Sequence, residues 1–481
     1  MADFPIEPGW GVPTQLREAL GKAQPGDVVR LLPGEHRYFE PATLMRRSGA
    51  PGKPIVIRAE RGAIVRGYAG PVPHLEWNLP DGKDWAFLRI IDSDHVRLED
   101  VYFAECWPMA VFAEGSSHLT FSNCTGVGGT FLFVVRDRPP YGRVREIVVD
   151  GCSWAQDPRI WANIPWKWIH DNDRLYNYLD GGILGTGDIV GDVDFTNNLV
   201  ADCYNGLVVD ISPEFRRISG NYAQTNRNFH IAHNTFERVR DNPIEPEWHA
   251  FNWHIHHNTF VDCHSWFSLD NVRGGWWTIY ANRGYFRSRP GSAIGDGHSI
   301  GEAFKLTDAK QPPEFGRVFV FNNSFRMRAP MFGNANDDED DPNKRFYEFR
   351  NWTVADNAFE WCGPADGGAR PVCQGPVDPF EPGVRFPGET RFDRTLTNAP
   401  RWQQQLAAHG QAERAHRYVG APIFAAGGGG DFALVGEAAH LGAAGALAIV
   451  YPDGSEHTLR VPRRIGAADN DGADWPPFKE F

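Results

Sequence analysis

Residues 241–273, DNPIEPEWHAFNWHIHHNTFVDCHSWFSLDNVR, gather five carboxylates and five histidines into 33 positions. Two of those carboxylates, Glu245 and Asp270, together with Asp210 upstream, are the candidate catalytic set. Closely set carboxyl groups repel, and a chain that stacks them needs either a bound cation or a reaction that uses a protonated acid beside an ionised one. Glycosidic bond hydrolysis has that need, because one group protonates the leaving oxygen while the other attacks or activates water. The surrounding residue types suit a sugar. Trp248 and Trp266 offer flat aromatic faces, Asp241, Glu247 and His249 offer hydrogen bonds, and Arg136, Arg240 and Arg273 could hold a carboxylate or sulfate. Tyr176 and Tyr178, inside an aromatic-rich insertion at 154–182, complete the expected substrate-binding set.

These side chains need a scaffold, and the scaffold is legible as a repeat. NFHIAHNTFERV (228–239) and NWHIHHNTFVDC (252–263) match at a spacing of 24 residues, and a period of that length written in strand and turn residues marks a solenoid. From residue 95 onward each turn of the pattern carries two inward apolar residues two apart, then a column residue three positions later. Phe229 and Ile231 lead to Asn234, Trp253 and Ile255 to Asn258, Trp277 and Ile279 to Asn282. Six consecutive column residues are Asn (198, 234, 258, 282, 323 and 357), a type that can ladder its amides along a stack and satisfy turn backbone. Short strands of period two in this repeat predict an all-β fold, a right-handed parallel β-helix. Carrying the register twelve residues past the column places Arg136, Asp210 and Asp270 on an outward face. Aligning Ile244 with Val209 and Leu269 adds Glu245 to that column, provided that the turn at Asn242-Pro243 is one residue short. Strands about 4.8 Å apart would then hold the three carboxylates within roughly 10 Å.

The same register accounts for the cysteines as small buried hydrophobes. Cys106, Cys203, Cys263 and Cys362 share one interior line, Cys124 and Cys152 the Asn column, and only Cys373 lies outside. His230 and His254 share another outward column and are expected as exposed stacked rings. A metal there would need two more ligands, of which Asp194 is the only candidate, so no metal ligand is assigned. PTQLREALGKA (13–23) has the amphipathic spacing of a helix that would cap the first coil. The expected organisation is this cap plus β-helix over 1–362. A C-terminal extension over 363–481 follows, with a short helix at 400–410 and a small β segment turning at Asp453-Gly454, packed on the β-helix.

A formal charge of −13 argues against a nucleic-acid partner, which calls for clustered Lys and Arg. The chain has no run of 18 apolar residues, so no membrane span is expected. Its first residues, MADFPIEPGWG, lack the basic start and apolar core of a signal peptide, which reads as a cytoplasmic chain, or as a periplasmic or secreted one whose leader has been removed. Homo-oligomerisation is left open.

The turns from about 30 to 362 resemble the pectate-lyase-like superfamily of parallel β-helices. The opening GDVVRLLPGEHR…GKPIVIRAERGAIVRG is similar to the start of the chondroitinase-B and alginate-lyase family, and DNPIE (241–245) with HHNTFVDCHSWFSLDNVRGG (256–275) is similar to its site layout. The DxxIEPE phrase and the Gly-Gly turn also resemble uncharacterised β-helix repeat proteins. The family resemblance implies a lyase, in which a cation neutralises a uronate and a base removes its α-proton. This chain departs from it: Trp248 and His249 stand where that family has its Lys, and Asp270 where it has its Arg, leaving His249 and Arg273 as the substitutes. The sequence therefore predicts a carbohydrate-active enzyme acting on an oligo- or polysaccharide. A glycoside hydrolase requiring no cofactor comes first. A polysaccharide lyase or uronate epimerase with calcium in the acidic column is the alternative, and a non-catalytic carbohydrate-binding protein the third reading.

Overall fold

The computed structural model describes residues 1–67, 86–157, 179–209, 225–246, 249–270, 272–286, 302–306, 311, 314–327, 329–333, 347–361, 379–380, 383–412, 417–418, 423–424, 432–434, 446–460 and 474–481. They form two compact units, one of residues 1–226 with 238–240, the other of 227–237 with 241–481. The expected boundary at 362 falls outside the described residues.

In the first unit the apolar alternation of short β-branched runs does what period two dictates: successive side chains point to opposite faces. Val96 and Leu98 pair in parallel with Leu119 and Phe121, which pair with Ile147 and Val149. All six are buried. Three parallel sheets arise in this way, one containing these strands and two more containing Tyr102–Ala104 and Met109–Glu114, so each coil contributes one strand to each sheet. Parallel crossovers of this kind are right-handed, and the unit is a right-handed parallel β-helix. Helix Val12–Lys22 carries Pro13 in its first turn, where the missing N–H costs nothing. It buries Leu16 and Leu20 and packs on strand Ala42–Met45, covering the first coil as expected.

The second unit has the same plan. One sheet runs through Arg227–Ala232, His249–His256, Trp277–Tyr280, Val318–Phe321, Trp352–Ala355 and Arg391–Asp393. A second runs through Ile244–Pro246, Phe267–Ser268, Phe304–Lys305 and Phe332–Gly333, and a third follows the Asn turns. Stacking continues beyond 362 in the short strands Arg391–Asp393 and Leu396–Thr397. Inside, Phe229, Trp253 and Trp277 stack ring on ring at centroid separations of 4.4 and 5.4 Å.

The Asn column is a hydrogen-bonded ladder. Asn234, Asn258, Asn282 and Asn323 each donate both backbone N–H and side-chain amide to the side-chain oxygen of the next Asn, at 2.9–3.0 Å. The turn that makes this possible places the preceding residue at positive φ: His233, His257, Ala281, Asn322 and Asp356. His, Asn and Asp tolerate that region better than most side chains do.

The five described cysteines, Cys106, Cys124, Cys152, Cys203 and Cys263, are buried. Trp402–Ala408 forms the C-terminal helix, and Ala446–Val450 pairs antiparallel with Glu456–Arg460 across the Asp453-Gly454 turn. This hairpin packs Leu447, Ile449 and Leu459 onto Tyr280, Phe319 and Phe321. Among the described residues no helix is long and apolar enough to cross a membrane.

Candidate active site

In strand Ile244–Pro246 the apolar Ile244 faces the interior, above Phe267, which stacks on Phe304, which in turn stacks on Phe332. All four are fully buried. Alternation then turns the next residue of each strand outward: Glu245, Ser268 and Lys305. This corrects the register read from sequence. Glu237 pairs with Val261 and Ile244 with Phe267, so the turn before Ile244 is one residue longer than its counterpart, not one residue shorter. Glu245 still points outward, but its neighbour in register is Ser268, and Asp270 lies two positions further along.

A lysine reunites the separated carboxylates. Lys305 Nζ lies 3.1 Å from Asp270 Oδ2 and 3.8 Å from Asp241 Oδ1. Asn242, fully buried, donates its side-chain amide to Asp241 Oδ1 at 2.8 Å and to Glu245 Oε1 at 3.0 Å. The result is a chain of contacts Glu245–Asn242–Asp241–Lys305–Asp270, with Glu245, Asp241 and Lys305 each less than a tenth exposed. Burial by itself would strip the proton from Lys305, but the charges of Asp270, Asp241 and Glu245 outweigh it and hold the ammonium above lysine's ordinary range. Ser268 Oγ, in register between Glu245 and Lys305, is buried with no hydrogen-bond partner among the described residues.

Lys305 was not legible as a site residue because it lies in the Gly-rich stretch 291–316, which reads as an excursion from the coil. The available signal was local: Phe304 and Leu306 flank it with the inward-outward-inward alternation of Phe267, Ser268 and Leu269. Asn242, read only as part of a turn, is the second residue that sequence reasoning missed.

The structure does not bring every expected residue to this cluster. Trp266 is buried, not displayed. Its ring lies against Phe260 and edge-on to Phe325, over Gly284, where any Cβ would meet the indole at 2.4 Å. Arg136 belongs to the first unit, where it pairs with Glu114 at 2.6 Å and lies over the Phe112 ring. Arg240, next to Asp241 in the chain, is buried. Asp210, Glu247, Trp248, Tyr176 and Tyr178 lie outside the described residues.

His249 and Arg273 are register partners on adjacent strands. Burial, reinforced by the Arg273 charge, lowers the His249 pKa to about 4, so its ring is neutral at pH 7. His254, expected to be exposed, is buried instead, because Tyr451 stacks over it and Phe478 meets it edge-on.

Fold and site together define a right-handed parallel β-helix protein with a lysine-centred acidic cluster on an outward strand column. No family model matches the chain, and no curated protein sequence does. Among solved structures the chain is similar to an alginate lyase from Paenibacillus sp. str. FPU-7, at 12% identity over 80% of this chain and 99% of that one, with a TM-score of 0.43. It is similar to a mannuronic acid specific polysaccharide family 6 lyase from human gut microbiota, at 14% identity over 88% and 86%, with a TM-score of 0.42. It is also similar to the tailspike protein of E. coli bacteriophage HK620, at 10% identity over 85% and 70%, with a TM-score of 0.47. Many chemistries share this fold, so function is argued from the site itself.

Proposed function

We propose that the chain is a carbohydrate-active enzyme that hydrolyses glycosidic bonds of an oligo- or polysaccharide at the Asp241–Glu245–Asp270–Lys305 cluster. The observation that carries this reading is three carboxyl groups gathered around one buried ammonium on an outward strand column. The two Lys305 contacts keep the Asp241 and Asp270 carboxyl groups on one ammonium, beside Glu245.

The roles follow from the partners. Asp270, ion-paired with Lys305, takes the role that needs a negative charge, attack on the anomeric carbon or activation of water. Glu245, which faces the neutral Asn242 amide, donates the proton to the leaving oxygen. Asp241 holds Asn242 and Lys305 in place. Lys305 supplies the positive charge that the calcium alternative assigns to an ion. The local excess of carboxyl groups favours a neutral glycan over a polyuronate, since like charges juxtaposed on binding are costly.

The test is release of reducing ends from a panel of neutral and uronate glycans by wild type, Glu245→Gln and Asp270→Asn. Hydrolysis that survives in either folded variant overturns the assignment. A second reading, β-elimination or epimerisation of a uronate, has its own support in the neutral His249 beside the Arg273 cation, a base and a charge neutraliser in register. Unsaturated products without new water-derived reducing ends, abolished in His249→Ala and unaffected in Glu245→Gln, would select elimination.

A further inference from the structure

The histidines outside the acidic cluster assemble a second constellation in the same unit. On strands Arg227–Ala232 and His249–His256 the inward positions belong to Phe229, Ile231, Trp253 and Ile255, so His230, His254 and His256 face outward. His233 and His257 sit at the positive-φ turn positions, φ 59° and 54°, one residue before the laddered Asn234 and Asn258. The rigid ladder thus fixes the backbone of both turn histidines beside the strand histidines. His256 Nδ1 lies 2.8 Å from His257 Nδ1, and His256 Nε2 lies 2.9 Å from His230 Nε2. The His233 ring stacks on His257 at 5.0 Å.

We propose that His233, His256 and His257 form a binding site for one divalent cation of the zinc class, with the fourth coordination position open to solvent. One ring nitrogen from each of the three lies within 4.8 Å of the other two. Imidazole is a ligand that zinc and its borderline neighbours favour, and three such ligands plus water is the pattern of an open tetrahedral site. Metal–nitrogen bonds of about 2.0–2.1 Å at tetrahedral angles put ligand nitrogens about 3.3 Å apart, so the 2.8 Å pair has only to open slightly.

The unligated nitrogen of His256 meets His230, the outer contact that sets tautomer and ring orientation in metal-bound histidines. Access is open on one side, since His233 is exposed while His256 and His257 are half-buried.

The experiment uses the full untagged chain after chelator treatment and removal of the chelator. Titration with zinc is followed by calorimetry, and titration with cobalt(II) by its visible ligand-field absorption. The expected result is one equivalent bound, with a cobalt spectrum of tetrahedral type. His233→Ala and His257→Ala should each weaken binding at least about 100-fold, and His230→Ala about 10–100-fold. His457→Ala, remote from the cluster in sequence, should leave binding unchanged, and far-ultraviolet circular dichroism reports the fold of each variant. Wild-type protein that shows no saturable binding, or affinity that is equal in wild type, His233→Ala and His257→Ala, overturns the site.

Discussion

The acidic column and the histidine face use the same device, an outward strand position repeated on neighbouring coils of one unit, to opposite ends. In the acidic column, Asp241 and Asp270 flank the buried Lys305, whose proton the field of the cluster secures. On the histidine face, the buried His254 and the half-buried His256 are neutral rings, with pKa values lowered to about 3 and about 2, first by desolvation and then by their histidine neighbours. Burial of a titratable group must end either in pairing or in neutralisation. The two regions show both solutions on one scaffold, and each makes a different kind of measurement decisive.

The sharpest way to separate them is turnover. Glu245→Gln removes a proton donor while keeping shape and hydrogen-bonding capacity, so hydrolysis should fall about 10²–10⁴-fold. His254→Phe, on the other face, should leave the rate per folded molecule unchanged. Initial rates of reducing-end release, normalised to folded protein, check both. Loss of activity in the histidine variant would merge two regions that are distinct here.

Stability tests the pairing itself. Lys305→Met leaves Asp270 and Asp241 facing each other without their cation, and removal of one partner from a buried pair costs about 3–5 kcal/mol. Denaturant unfolding at pH 7 measures it. The sign of the pH dependence is fixed by the raised pKa. The Lys305 contribution is fully present below the unfolded value of about 10.4 and is lost only as pH rises through the higher folded value. The gap between wild type and Lys305→Met should therefore persist from neutral pH to pH 10 and narrow only in stronger alkali.

The unequal legibility of these features in the sequence has a physical cause. The coil, its inward pairs, the Asn ladder and the interior cysteines follow from repetition, and repetition can be counted: Trp253 and Ile255 recur as Trp277 and Ile279 because each coil must bury the same two positions. The site is what the repeat does not determine. Its register hangs on a single turn, and one extra residue between Glu237 and Ile244 slides Glu245 two positions away from Asp270. Lys305 comes from a strand whose paired residues number only two, below the length at which alternation is convincing. Trp266 shows the converse failure, because a strand-edge residue can turn inward where a glycine, here Gly284, leaves room.

The histidine face carries the next largest effect, and it lies on the acid side. A histidine whose folded pKa is depressed stabilises the fold fully above its unfolded value, about 6.5, and loses that contribution as pH falls toward the folded value. His254, facing His230 and covered by Tyr451 and Phe478, should cost on the order of 4 kcal/mol by pH 3. Unfolding free energy measured from pH 7 to pH 3 should slope downward in wild type and less steeply in His254→Phe. An identical slope in both would mean that the ring is not buried neutral. Between the two faces runs the uncharged Asn ladder, which serves as a reference. Asn258→Ala strands the amides of Asn234, and an unmet buried group of this kind costs about 1–3 kcal/mol with little dependence on pH.

The smallest expected effect concerns a residue that sequence reasoning assigned to substrate. Arg136 lies in the other unit, about a third exposed, spanning Glu114 and the Phe112 ring. A surface pair of this kind contributes about 0–1 kcal/mol, since solvent screens the charges and ordering two long side chains offsets the attraction. Arg136→Ala should thus shift the unfolding midpoint slightly and leave the Michaelis constant on any cleaved glycan where it was. A several-fold rise in that constant without a change in turnover number would return Arg136 to the substrate.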